Sequence, residues 1–279
     1  MSEPPLGAPA GRRAVRVTAN DRLGAYNVLR VADPVMEKVA PGQFAMLAAV
    51  EGWGGGEDER PYLARAFSVA RYAQGEAAYL VEDVGPGTRR LSDLEAGDEL
   101  WVLGPLGRGF MPVNEDPTQP RRAILVGGGV GIAPLAILQD ELEGTAPDRA
   151  VTVLLGFRDE ARVAGAELLR GAEIATDDGS AGQEGLVTEL LEGELSSNPH
   201  AVVYACGPAG MLEGVRAICE RGAVPGQLAL EAGMACGFGA CFGCVVPKRG
   251  GGYLRVCVDG PVIDAAELER VDAHAGAPA

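Results

Sequence analysis

Cys236, Cys241, Cys244 and Cys257 stand in the stretch CGFGACFGCVVPKRGGGYLRVC, a C-x4-C-x2-C triplet and, after twelve intervening residues, a fourth cysteine. Four thiolates at this short spacing can hold a 2Fe–2S cluster. Three ligands on one tight loop need a backbone that curls around an inorganic core, and Gly237, Gly239, Ala240 and Gly243 supply small residues for it. Two other chemistries use clustered cysteines. Against disulfides, the start MSEPPLGAPAGRR has no apolar leader segment, which points to a cytoplasmic, reducing setting. Against structural zinc, only one C-x2-C knuckle is present where zinc ribbons pair two. The expectation is a one-electron carrier.

Upstream, Gly127, Gly128, Gly129 and Gly131 follow the apolar run RAILV and open a helical pattern. A helix start offers free N–H groups and a positive dipole end to a pyrophosphate. The order GGGVG differs from G-x-G-x-x-G, so the same glycines also suit a plain strand–helix turn. Cys206, Gly207 and Pro208 end the run AVVYA and begin another helix, at the kind of strand terminus where ligands bind. Cys206 could meet a nicotinamide ring there or serve as a small core thiol; Cys219, inside VRAICE, reads as core. Earlier still, Arg65, Phe67 and Ser68 lie in RAFS, where an arginine beside a hydroxyl can bind pyrophosphate and a flavin edge. Gly85, Gly87 and Thr88 in VGPGTRRL make a second phosphate seat before a helix. Each motif alone fits an ordinary strand or turn. Their order carries more: arginine motif, glycine turn, GPLGRGF at 104–110, GGGVG, then CGP.

These residues need a scaffold. The chain of 279 residues is long enough for two domains and an appendage. Its apolar share of 47% can form a core, which must be built mostly from Val, Leu and Ala because aromatics contribute 5%. The formal charge of −15 argues against nucleic acid or anionic lipid as the main partner. No apolar run approaches the roughly 20 residues of a membrane helix. The only histidines are His200 and His274, so histidine acid–base chemistry has little support, whereas electron and hydride transfer need none because cofactors carry them.

Residues 1–12 read as a disordered lead. From 13 to 115, VRVTAN, YNVLRVA, FAMLAAV, AFSVARY, AAYLVE and ELWVL alternate with turn residues, which predicts an antiparallel barrel or sandwich. The stretch at 51–61 interrupts it as a flexible acidic loop, a short helix starts at Thr88, and NEDPTQP is a linker. From 119 to 222 strands alternate with helices, predicting a doubly wound parallel sheet with DEARVAGAELLR as one of its helices. Residues 223–267 hold the cysteines and a YLRVC strand, and 268–279 are a polar tail.

The motif order resembles the ferredoxin–NADP reductase superfamily, in which an antiparallel barrel binds flavin and an α/β domain binds NAD(P). With the cysteine tail, LEAGMACGFGACFGC and RVCVDGPV, the chain resembles the electron-transfer subunits of B-type dihydroorotate dehydrogenases from about residue 13 to 265. The resemblance implies one FAD and one 2Fe–2S cluster per chain. Arg65 to Ser68 match R-P-x-S, with Ala66 in the proline's place. Leu80, Val81 and Glu82 align with the next flavin-contacting strand, where an aromatic and a basic residue are more typical. Gly87 and Thr88 match the G-T that holds FAD phosphate. Gly127 to Gly131 and Cys206 to Pro208 match the nicotinamide-nucleotide elements, and all four cysteines match cluster ligands. It further implies NAD+ as co-substrate and, as partner, an FMN-containing catalytic subunit oxidising dihydroorotate in pyrimidine biosynthesis, in a heterotetramer of two of each chain. Two other readings stay open: an NAD(P)H:acceptor reductase subunit linked to ferredoxin or sulfur, and a non-catalytic iron–sulfur redox sensor.

Overall fold

Six strands, β1 (Arg13–Leu23), β2 (Tyr26–Ala32), β3 (Phe44–Ala49), β4 (Arg65–Ala73), β5 (Glu76–Glu82) and β6 (Glu99–Leu106), close into an antiparallel barrel in the order β1-β2-β5-β4-β3-β6. The computed structural model describes residues 11–36, 38–54, 61–111, 121–145 and 150–271. Most of the expected lead, the middle of the acidic loop, the NEDPTQP linker and the end of the tail with His274 lie outside the described residues. Strand alternation sorts side chains to two sides of the barrel wall. From β5, Ala77, Tyr79 and Val81 fill the barrel interior, while Ala78 and Leu80 face out. Helix α1 (Pro86–Ser92) starts two residues before Thr88, with proline in its first turn, where its missing N–H costs nothing. Its Leu91 joins the barrel core.

The second domain contains β7 (Arg122–Gly128), α2 (Ala133–Thr145), β8 (Val151–Phe157), α3 (Glu160–Val163), β9 (Ala172–Thr176), β10 (Gln183–Glu184), α4 (Val187–Ser197), β11 (Ala201–Cys206) and α5 (Ala209–Gly222). Beyond them come β12 (Gly226–Ala229), β13 (Val245–Pro247), β14 (Tyr253–Arg255) and β15 (Val262–Asp264). One sheet runs β10-β9-β8-β7-β11-β12-β15, parallel except for the β12–β15 pair. It therefore takes in two strands from the segment that the sequence groups with the cysteines. Helices cover both faces, and β7 shows why its run is continuously apolar. Ile124 and Val126 share a core with α4 and α5, whereas Ala123 and Leu125 share one with α2 and the outer barrel residues Tyr26, Val28 and Leu80.

The expected helix DEARVAGAELLR is only the single turn α3 followed by a 3-10 turn at Ala164–Leu168. The barrel dictates this. A Cβ at Gly165 would stand 2.8 Å from Ile132 and 2.9 Å from the Tyr26 ring, so this segment is pressed onto the β1–β2 hairpin. The Ala25 amide donates to the Ala161 carbonyl at 3.0 Å across the same junction.

Candidate functional site

The cysteine loop is built on an extended segment that leaves β12. Leu230 is buried and its amide donates to the Pro261 carbonyl at 2.9 Å. After it, exposure alternates: Ala232 and Met234 pack into the core shared with Phe44 and Met46, while Glu231, Gly233 and Ala235 face outward. Cys236 is half-buried, Cys241 exposed, and Cys244 and Cys257 buried. The loop uses left-handed backbone at Gly237 (φ +79), Gly239 (φ +86) and Phe242 (φ +56), and not at Ala240 or Gly243. Arg255 stacks on the Phe242 ring with its guanidinium carbon 5.2 Å from the centroid, which helps hold that residue in place.

Among the described residues no group of three His, Cys, Asp or Glu side chains is set to hold a metal ion. The cysteines stand instead as two touching pairs, Cys236 with Cys241 and Cys244 with Cys257. Two pairs suit a two-iron centre with two thiolates on each iron better than one tetrahedral zinc. Backbone amides point at the sulfurs. Gly243 donates to Cys241 and Cys257 donates to Cys244, each at 3.4 Å. Burial alone would raise the Cys236 thiol, but the amides of Phe238, Cys241 and Ala240 and the Cys241 side chain together lower it to about 6. Burial and then Cys244 push the Cys257 thiol up to about 12, so Cys257 needs a cation to become thiolate. The donor set and the converging N–H groups fit a 2Fe–2S cluster.

At the sheet, Gly127, Cys206 and Ala229 lie side by side at the ends of β7, β11 and β12. Strand order reverses between β7 and β11, which opens a crevice there. The two glycine motifs meet backbone to backbone. A Cβ at Gly131 would be 2.6 Å from the Cys206 carbonyl oxygen and from the Gly207 Cα, and one at Gly128 would be 3.0 Å from Pro208. Gly129 (φ +53) has nothing within 4 Å of its Cβ position and faces open space. Burial holds the Cys206 thiol well above its usual range, so Cys206 can offer contact and no thiolate.

Glu231 escaped the sequence reading. It is exposed and has no hydrogen-bond or ion-pair partner among the described residues, yet the protein around it raises its carboxyl. Its charge acts on the Cys206 thiol. A carboxylate two residues past the end of β12, close enough to act on Cys206, fits a nicotinamide site. A possible signal was its place two residues after the end of an apolar strand.

On the barrel, β4 presents Ala66 and Ser68 outward, opposite Met46 and Phe44 of β3. The Ser68 hydroxyl has no partner among the described residues. Phe67 packs against the barrel interior. The Arg65 guanidinium gives one hydrogen bond to the Leu63 carbonyl at 2.6 Å and rests over Gly87, where a Cβ would be 2.9 Å from its Nε. Thr88 closes the turn, accepting from the amides of Val84 and Gly85 at 2.9 and 3.0 Å. The Trp53 ring lies 6.0 Å from the Arg65 guanidinium, and the Arg90 guanidinium sits against Gly52, so the start of the expected flexible loop packs on this site. Free donors at Arg65, an unpartnered Ser68 and a bare glycine cradle at Gly87 fit a flavin nucleotide.

The Leu80–Glu82 strand offers a cofactor backbone more than side chains. Leu80 is buried under the second domain and Val81 in the barrel, so only their backbone can meet a cofactor. Glu82 is held by Arg162, whose Nε and Nη2 donate to its Oε1 at 2.9 and 2.8 Å; Arg162 also reaches Asp159 at 2.5 Å. The carboxylate that would repel a phosphate is thus neutralised from the other domain.

A flavin-type barrel, a nucleotide-binding sheet open at its switch point and a four-cysteine loop define an oxidoreductase of the ferredoxin–NADP reductase fold. Residues 125–217 match the oxidoreductase NAD-binding domain, and residues 231–269 match the iron–sulfur cluster binding domain of dihydroorotate dehydrogenase B. The chain is 35% identical over 260 residues to the dihydroorotate dehydrogenase B (NAD(+)) electron transfer subunit of Caldanaerobacter subterraneus subsp. tengcongensis, covering 91% of this chain and 96% of that one. It is 40% identical over 242 residues to that of Geobacillus kaustophilus, covering 84% and 88%. Among solved structures, an NADH-dependent reduced ferredoxin-NADP oxidoreductase described for flavin-based electron bifurcation superposes with a TM-score of 0.78 at 25% identity, over 94% of this chain and 92% of the other. The chain belongs to the family of dihydroorotate dehydrogenase B (NAD(+)) electron transfer subunits. Its cofactors are FAD, a 2Fe–2S cluster and NAD. No helix among the described residues is long and apolar enough to cross a membrane.

Proposed function

We propose that this chain passes electrons from an FMN-containing subunit, which oxidises dihydroorotate to orotate in pyrimidine biosynthesis, to NAD+, in a heterotetramer of two of each chain. Two electrons and two protons leave dihydroorotate; NAD+ takes both electrons and one proton, and the other proton is released. The bound groups supply the chemistry, the cluster carrying single electrons and FAD exchanging a hydride with the nicotinamide.

The residues have distinct tasks in this reading. Arg65 and the Gly87–Thr88 turn bind the FAD pyrophosphate, and Ser68 meets the flavin edge. Gly127 to Gly131 bind the nucleotide phosphates, Cys206 to Pro208 wall the nicotinamide, and Glu231 accepts a hydrogen bond from its carboxamide. Cys236, Cys241, Cys244 and Cys257 hold the cluster. Asp177 and Asp178, exposed just past the end of β9, oppose a 2′-phosphate and favour NAD over NADP.

The observation that carries the reading is that the cysteine loop lies against the barrel strand next to the RAFS motif. Phe238 and Phe242, in the same loop as the exposed Cys241, are 58% and 62% exposed, apolar surface suited to a protein partner. Purification from native cells under anaerobic conditions tests it. A co-purifying FMN-bearing chain supports the reading, and a ferredoxin in its place supports an acceptor-reductase subunit. Comparing kcat/KM for NADH and NADPH tests the nucleotide choice.

A further inference from the structure

Met46 is 3% exposed, yet it lies on the outer wall of the barrel. Its strand register places it between Ala66 of β4 and Leu103 of β6. What covers it is the cysteine loop. A Cβ at Gly237 would be 2.6 Å from the Met46 Cγ and 2.9 Å from its Sδ, so only a glycine lets the loop settle onto this side chain. Ala66, its neighbour across the strand, remains exposed. One side chain therefore touches the loop carrying Cys236 and flanks the strand carrying the flavin motif, and nothing else in the sequence marks it as functional.

We propose that Met46 is a positioning residue for electron exchange between the cluster and FAD: a thioether wedge that fixes the cysteine loop against the flavin strand and keeps water out of the gap. The inference rests on the proposed cofactor sites, with the cluster on the four cysteines and FAD on β4. A methionine suits the task because its unbranched, polarizable side chain fills an irregular gap. Truncation leaves a cavity under the loop at Gly237, and small misplacements of reacting groups are costly.

The test uses the holoprotein and its Met46→Ala and Met46→Leu variants, after FAD and iron per chain have been measured. Each is mixed anaerobically with NADH, and flavin and cluster bleaching are followed separately. In Met46→Ala the flavin phase should stay within about twofold of the unmodified protein, and the cluster phase should slow by about tenfold or more. Met46→Leu, which restores the volume, should recover most of that loss. If Met46→Ala does not fold, Gly237→Ala, whose methyl would press on Met46, disturbs the same contact by pushing the loop outward, and the same slowing of the cluster phase alone is expected. A fully loaded Met46→Ala with an unchanged cluster phase, or with both phases slowed alike, would overturn the proposal while leaving the cofactor sites intact. An unmodified protein that binds no FAD or iron would overturn the sites and the proposal together.

Discussion

Arg65 and Gly87 form a contact across the barrel mouth: the guanidinium lies so close over the glycine that a Cβ there would be 2.9 Å from Nε and 3.1 Å from Cζ. The first residue of RAFS and the glycine of the following G-T turn thus make one surface, although 22 positions separate them in the sequence.

A methyl group at position 87 should displace that guanidinium. Gly87→Ala lies in α1, where alanine is intrinsically favoured over glycine by about 1 kcal/mol, so the helix itself should not suffer. FAD affinity should fall by about tenfold, as for loss of one charge-assisted hydrogen bond. Fluorescence titration of the apoprotein with FAD measures it, and an unchanged Kd would remove Arg65 from the pyrophosphate site.

Gly131 makes the corresponding test in the second domain. Its Cβ would meet the Cys206 carbonyl and Gly207 backbone at 2.6 Å, and backbone cannot yield as a side-chain tip can. Gly131→Ala should raise KM for NADH by about tenfold or more, through displacement of the binding loop. FAD and iron content should not change. Steady-state NADH:dye kinetics with cofactor analysis would show whether the loss is confined to the nucleotide.

Glu231 allows a pH test with a definite sign. Although the residue has exposed surface, the protein packed around its carboxyl desolvates that group and raises it above the ordinary range. An acid whose folded pKa exceeds its unfolded value opposes folding when ionised, and that penalty fades as pH falls through the raised pKa. Glu231→Gln should therefore be at least as stable as the parent at pH 7, with the difference shrinking towards pH 4, while NAD+ binds more weakly. Thermal melts across that range, paired with NAD+ titrations, check both parts; a variant less stable at pH 7 would contradict the first.

The Glu82–Arg162 pair ties the two domains together with both side chains mostly covered. Arg162→Met leaves Glu82 without its partner and should destabilise the protein by about 1–3 kcal/mol, whereas Glu82→Gln with Arg162→Met should cost less. A double-mutant cycle by urea denaturation would reveal it, and additive losses would mean that the pair is not coupled.

Local pattern was enough for much of this architecture. VRVTAN through ELWVL are short apolar runs between turn residues, and each is a barrel strand. RAILV is apolar throughout because helices cover both faces of its sheet. What the sequence hid depends on distant partners. The strands β12 and β15 have four and three residues and are defined only by pairing with β11 and with each other. DEARVAGAELLR has a helical pattern, but contact with Tyr26 and Ile132 breaks it at Gly165. The cysteines and glycine turns were legible because the chemistry fixes both residue type and spacing. Met46, Trp53 and Glu231 were not, because an apolar strand residue, a loop tryptophan and a single carboxylate acquire meaning only from what folds against them.

The most direct test of the account is an anaerobic assay of the purified, cofactor-loaded chain with dihydroorotate and NAD+, alone and after addition of an FMN-bearing catalytic subunit. The chain alone should reduce dyes with NADH and form no NADH from dihydroorotate, and the reconstituted complex should form NADH in step with orotate. Dihydroorotate oxidation by the chain alone, or a complex that makes orotate without reducing NAD+, would contradict it.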